Sequence, residues 1–273
     1  MRNRHNKPTG PDIIQIENAT FHYDDKPIFK DIHLETAAGE LFCIMGCNGC
    51  GKSTLLDCIL GNHILGRGTI LVSGKEVSGY RPAELAKKIS YVPQIHEKSF
   101  PYLVRQIVLM GRTAHLGGYG KPDELDEDIS EQSMKDAGIA HLADRPYTQI
   151  SGGEMQMVAL ARALAQKTPI ILMDEPTAHL DFFNEMLFLE KTVGLVNTGN
   201  RTILMATHSP NQAFYLENQG VKVRVALMHE GAIFSVGSPD EVLTEENLAK
   251  VYGVKVRILR DENRKQIVPV GTI

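Results

Sequence analysis

Nine residues constrain this chain more than any others: Gly46-Cys47-Asn48-Gly49-Cys50-Gly51-Lys52-Ser53-Thr54. The apolar run Leu41 to Met45 precedes them and the mainly apolar stretch Leu55 to Leu60 follows, so the order reads strand, glycine loop, helix. That is the setting of a phosphate-binding loop. Glycines at 46, 49 and 51 let successive backbone N–H groups converge on an anion, and the helix behind them presents its positive N-terminal end to the same group. In this pattern Lys52 reaches terminal phosphates and Ser53 ligates magnesium, while Cys47, Asn48, Cys50 and Thr54 complete the loop. A glycine-rich turn with no ligand does not need the whole string G-x-x-x-x-G-K-S.

The rest of the composition narrows the classes. With 273 residues, 42% of them hydrophobic, there is ample material for one large domain or two small ones. A formal charge of -4 gives no basic field for nucleic acid or anionic lipid. No apolar run approaches the roughly 18 residues of a membrane span. The opening Met1 to Pro8 lacks the apolar core of a signal peptide, so the expected compartment is the cytosol. All four cysteines, 43, 47, 50 and 58, surround the loop. Two readings of Cys47 and Cys50 stay open: small side chains tolerated in a reducing compartment, or thiols whose pKa Lys52 and the helix end depress, so that oxidation closes the loop.

Along the chain, residues 1–10 read as a loose tail. Ile13 to Glu17 and Phe21 to Tyr23 alternate as strand, Ile32 and Leu34 continue the pattern, and Ala38-Gly39-Glu40 reads as a hairpin turn into the strand before the loop. Tyr23 is either a stacking platform for an adenine ring or one more cross-strand aromatic. After the loop helix, Thr69 to Val77 reads as a hairpin around Ser73-Gly74, and Ile89 to Val92 as a strand that delivers Gln94 at its end. From about Ser99 to Tyr147 the periodicity is helical, and the acids between Asp123 and Asp128 fit the start of a solvated helix better than a calcium loop.

Three later stretches carry chemistry. Ser151-Gly152-Gly153-Glu154 makes a capping box, and two glycines inside a first helical turn imply close approach by another group, an anion foremost. Ile170 to Met173 is apolar throughout, as for a central parallel strand, and ends in Asp174-Glu175. Adjacent carboxylates there can divide the work, Asp174 positioning magnesium and Glu175 activating water. Thr202 to Ala206 is a second buried strand that delivers His208, either structural or in contact with a terminal phosphate. Val221 to Val236 reads as a hairpin, Ser238 opens a small helix, and Val254 to Val270 reads as an edge hairpin.

Taken together, the phosphate loop, Gln94, Ser151 to Glu154, Ile170 to Glu175, Asp181 and His208 resemble the ATP-binding-cassette (ABC) ATPases, over about Ile13 to Gly253. The resemblance implies an α/β, RecA-like phosphate-loop core sheet with an N-terminal antiparallel β subdomain and an inserted helical subdomain. It places the core in about 11–95 and 160–235, the helical part in about 96–159, and a C-terminal extension in 254–273. It further implies ATP and Mg2+ as ligands, with Ser53, Gln94 and Asp174 as metal-side residues and Lys52, Gln94, Glu175 and His208 as catalytic ones. Two copies would face head to tail, each ATP lying between one copy's loop and Ser151 to Glu154 of the other.

Val108 to Leu116 and Pro176 to Asp181 look like the ATPases of importers for iron chelates (siderophores, haem), cobalamin and, in some members, molybdate or tungstate. In such importers a polytopic membrane permease holds the ATPase at the cytoplasmic face, its coupling helix docking near Ser99 to Arg112 with Phe100, Tyr102 and Leu103 as apolar anchors. A substrate-binding protein is an indirect partner, and no nucleic acid is expected. The alternative reading is a soluble ABC ATPase acting on nucleic acid or ribosomes, which the single cassette and compact helical insertion disfavour. Cys47 for proline, Cys50 for a small residue, Glu154 for glutamine and Met157 for arginine depart from the common pattern.

Overall fold

A computed structural model of the chain describes residues 14–94, 101–116, 120–198, 201–261 and 264–273. The expected tail at 1–10, and Ser99 and Phe100 of the docking surface, lie outside these. In chain order the elements are β1 (Ile14–Tyr23), β2 (Lys26–Glu35), β3 (Leu41–Met45), α1 (Lys52–Ile59), β4 (Arg67–Val72), β5 (Lys75–Glu76), α2 (Pro82–Leu85) and β6 (Ile89–Val92). Then come α3 (Val104–Leu109), α4 (Glu124–Ala137), α5 (Gly152–Ala165), β7 (Ile170–Asp174), α6 (Phe182–Thr198), β8 (Thr202–Thr207) and α7 (Pro210–Asn218). The chain closes with β9 (Val223–His229), β10 (Ala232–Gly237), α8 (Pro239–Val242), α9 (Glu245–Tyr252), β11 (Val254–Asp261) and β12 (Arg264–Thr272).

The central sheet has the order β10-β9-β3-β8-β7-β6, parallel except for β10. Its strands are apolar on both sides because both sides are covered. On β3, Leu41, Cys43 and Met45 enter one core cluster while Phe42 and Ile44 enter the other. The same alternation splits Ile171 and Met173 from Ile170 and Leu172 on β7, and Ile203 and Met205 from Leu204 and Ala206 on β8. The first cluster lies toward α5, α6 and α7; the second packs the sheet against α1 and the separate antiparallel sheet β2-β1-β4-β5. This is the RecA-like core with its N-terminal β subdomain, and α3 to α5 form the inserted helical subdomain.

Parallel strands put all their carboxyl ends on one edge, where open α/β sheets bind ligands. Met45 at the end of β3 lies opposite Thr207 of β8, and Asp174 of β7 lies opposite Ala206. Four strand ends therefore deliver the phosphate loop, Gln94, Asp174-Glu175 and His208 to one place.

Several local expectations change. Ala38-Gly39-Glu40 does not turn a hairpin: β2 and β3 belong to different sheets, and Glu40 is buried, accepting from the Ala37 amide and from Arg224 at 3.2 Å. The acidic opening of α4 is not uniformly solvated. Asp123 caps the helix, but Asp126 is buried against Arg112 at 2.8 Å, which holds its carboxyl below the usual range. Arg112 also donates to the Ala165 carbonyl at the end of α5, so one guanidinium ties the start of α4 to the end of α5. The C-terminal hairpin is no edge of the central sheet; β11 and β12 form a two-stranded sheet of their own behind α9.

The two-sided burial of β3 yields a direct prediction. Phe42→Ala, at a side chain wholly out of solvent, should cost about 3–5 kcal/mol of stability. Urea unfolding would show it as a lower midpoint with an unchanged slope.

Candidate functional site

The loop curls because two of its glycines stand where a side chain cannot. A Cβ at Gly46 would lie 2.2 Å from the Met228 carbonyl oxygen, and Gly51, at φ 106°, caps α1 in a left-handed conformation. Asn48, Gly49 and Ser53 remain exposed at the mouth, while Lys52 is buried beneath them. The Lys52 ammonium donates to the carbonyls of Gly46 at 2.9 Å and Cys47 at 3.1 Å, and pairs with Glu175 Oε1 at 3.4 Å.

Glu175 is the point on which the strand ends converge. Its Oε2 accepts from Gln94 Nε2 at 3.4 Å and lies 3.0 Å from His208 Nδ1. Its backbone is left-handed, φ 41°, with the amide bonded to the Ala206 carbonyl. One residue earlier, Asp174 Oδ1 accepts from Ser53 Oγ at 3.0 Å. Burial, and the nearby charges of Glu175 and Asp57, push the Asp174 carboxyl upward against the pull of Ser53 and Lys52.

This donor set fits a small divalent cation. A hydroxyl and a carboxylate side by side, within an excess of negative charge, match the way magnesium takes one or two protein oxygens and fills its shell with water and phosphate. Ser53 and Asp174 are the groups that would hold it. Gln94, also expected on the metal side, donates to the Glu175 carboxylate in this structure.

Ser151 to Glu154 stands apart. The capping box is present: Ser151 N and Oγ both bond Glu154 Oε2 at 2.7 Å, and these bonds hold that carboxyl low. No hydrogen bond or ion pair among the described residues joins this segment to the phosphate loop. Its two glycines differ. A Cβ at Gly153 would meet the Asn184 side chain at 2.4 Å, a packing reason, whereas one at Gly152 would meet nothing within 4 Å. The open approach expected of the pair thus belongs to Gly152.

Tyr23 is the last residue of β1, and Phe21 lies on the same strand. Its hydroxyl meets His63 Nε2 at 2.8 Å and its ring packs edge-on against Phe21, yet the residue is 45% exposed. Of the two loop thiols, Cys50 departs from the redox reading. Cys43 and Cys58 are buried, and for Cys50 burial outweighs the Lys52 charge, so its thiol is pushed up.

Sequence reasoning missed one buried network behind the site. Gln212 Nε2 donates to Thr177 Oγ1 at 2.7 Å and to Glu185 Oε1 at 2.8 Å, and its Oε1 accepts from Thr207 Oγ1 at 2.8 Å. The network ties the turn after Glu175 to the strand end that carries His208. The signal available was a glutamine just after Pro210 on an otherwise apolar helix face.

Three comparisons place this geometry among known proteins. The family model described as ABC transporter matches residues 29–178. An uncharacterized ABC transporter ATP-binding protein of Haemophilus influenzae is 38% identical over 255 residues, 93% of this chain and 95% of its own. The molybdate import ATP-binding protein MolC of the same organism is 34% identical over 240 residues, covering 88% and 87%. A solved, inward-facing structure assigned to the metal-chelate type of ABC transporter superimposes with a TM-score of 0.81 at 32% identity, covering 94% of this chain and 97% of that one.

Asp174 also generates a prediction. Because burial raises its pKa, the folded chain holds that proton more tightly than the unfolded chain does, and stability falls as pH climbs through the window between the two values. Asp174→Asn should therefore raise the unfolding temperature at pH 7, on the order of 2–4 °C. The gain should vanish in acid, below the ordinary carboxylate range, when melting curves are compared across pH.

Proposed function

The chain belongs to the ABC transporter family as an ATP-hydrolysing subunit, and on that premise we propose that it drives import of a metal chelate, or of molybdate or tungstate, through a membrane permease. One observation carries the residue assignments: Lys52, Gln94 and His208, from three separate segments, all converge on the Glu175 carboxylate. In this reading Glu175 accepts the proton of the attacking water, His208 and Gln94 hold that carboxylate and the terminal phosphate in line, and Lys52 moves from its own loop's carbonyls to the phosphates. Tyr23 stacks on the adenine. Magnesium, when bound, neutralises phosphate charge beside Ser53 and Asp174. The backbone amides from Gly46 to Thr54 cradle the phosphates.

Ser151 to Glu154 would complete the site of a second copy, which accounts for an open Gly152 far from any bond to its own loop. For the permease, a cleft of about 790 Å³ opens between α2, the turn after α1 and the start of the helical subdomain, with Ile64, Tyr80, Met110 and Arg162 on its walls. Ile64 is 87% and Met110 44% exposed, apolar surface of the kind a coupling helix covers. Tyr102, 44% exposed, and Leu103 lie on the same insertion. Among the described residues no helix is long and apolar enough to cross a membrane, which agrees with peripheral attachment at the cytoplasmic face through such a partner.

The cargo class rests on relatives whose names differ, one a molybdate importer and one of metal-chelate type. Glu175→Gln should retain ATP binding and lose turnover by about 10²-fold or more. Lys52→Ala should lose binding itself, seen by titrating a fluorescent ATP analogue. Near-normal hydrolysis by the first variant would remove Glu175 from the proton-accepting role. ATPase stimulation by the reconstituted permease, compared over iron chelates, cobalamin and oxyanions, identifies the cargo; stimulation by ribosomes or DNA alone would overturn import.

A further inference from the structure

The phosphate loop touches the C-terminal end of the chain, a contact that the chemistry above does not use. Cys47 Sγ donates to the Val251 carbonyl at 3.0 Å, across 204 positions of sequence. The neighbouring Tyr252 hydroxyl is buried against the Gly46 backbone amide. It faces the Gly46 backbone, with Cys47, Cys50 and Glu175 around it, and burial pushes the phenol up, so it stays protonated throughout the physiological range. On its other side Gly46 lies against the Met228 carbonyl. The first two residues of the loop are thus held between the end of β9 and the end of α9.

Residues 254–273 keep α9 in that place. Ile258 N donates to Glu245 Oε1 at 3.0 Å, and Ile273 N to the Gly253 carbonyl at 2.9 Å. Asn211 of α7 bonds both backbone groups of Ile267, at 2.7 and 3.0 Å. Val256 and Ile267 enter the main core. The hairpin is fastened front and back, and α9 cannot withdraw from the loop without breaking these bonds.

We propose that Tyr252 and Val251 are positioning residues of the nucleotide site: the Val251 carbonyl tethers the loop through Cys47, and the Tyr252 hydroxyl receives the Gly46 amide, so that both hold the loop in the shape that takes phosphate. The C-terminal extension is then the strut that holds both in range. The proposal rests on the phosphate-loop reading and adds a residue to it. A hydroxyl that holds the shape of the loop contributes to nucleotide affinity rather than to the chemical step.

The test measures steady-state ATPase, affinity for a fluorescent ATP analogue and thermal unfolding on the full chain. Tyr252→Phe keeps the ring and loses the hydroxyl; KM and Kd for nucleotide should rise about three- to tenfold, the scale of one hydrogen bond. The kcat should stay within about twofold, and the unfolding temperature within about 2 °C. Cys47→Ala should shift affinity the same way, and Cys47→Ser, which keeps a donor, should restore it. Unchanged affinity in Tyr252→Phe overturns the proposal, as does an affinity loss that merely tracks a fall in unfolding temperature. If Cys47→Ser behaves as Cys47→Ala does, the tether is wrong. Should Tyr252→Phe fail to fold, the Cys47 pair decides alone. Lys52→Ala runs alongside: intact nucleotide binding there overturns the phosphate-loop reading itself, whereas lost binding there with unchanged Tyr252→Phe overturns only the role of Tyr252.

Discussion

A buried ammonium must have partners, and the site is arranged around supplying them to Lys52. Only 4% exposed, it cannot rely on water, and an unpaired charge in that position would cost several kcal/mol. Two carbonyls of its own loop and the Glu175 carboxylate take that role. The curl of the loop follows, since residues 46 and 47 must turn their oxygens inward. So does the placement of Glu175, which in turn gathers Gln94 and His208. A phosphate offers the same ammonium a stronger set of acceptors, so ligand entry is an exchange of partners rather than the filling of a void.

One acid beside it works the other way. Asp174, beside Glu175 and Asp57, is a buried carboxylate among like charges, and unlike Glu175, which pairs with Lys52, it costs the fold stability. Stability and function pull apart here, as they do wherever a site holds like charges ready for a cation. The cost is set against a sheet whose two apolar faces are each sealed by a separate core cluster.

Much of this was legible in the sequence because it is written locally. The strand, loop and helix around Lys52, the capping box at Ser151 and the apolar runs of β7 and β8 each lie within a few neighbouring residues, where periodicity and caps can be read. Their shared edge was legible too, since parallel strands leave their carboxyl ends on one side. What escaped depends on contacts distant in sequence. Glu40 looks like a turn residue until Arg224 is beside it; Gly153 looks like an anion contact until Asn184 occupies the space. Helix α9 went unread, its eight residues overshadowed by the hairpin that follows, and its contact with Cys47 spans most of the chain.

One backbone angle has a wider meaning. In a strand, successive side chains face opposite ways, so Asp174 and Glu175 ought to serve opposite sides of the sheet. They serve Ser53 and Lys52, adjacent residues at the start of one helix. The left-handed turn at Glu175 is what suspends the alternation for a single step. Such a conformation disfavours branched side chains by roughly 1–2 kcal/mol, whatever their chemistry. The position is therefore filtered twice, once by what the side chain can do to a proton and once by what the main chain will tolerate, and the second filter would act on this residue even in a descendant that had given up hydrolysis.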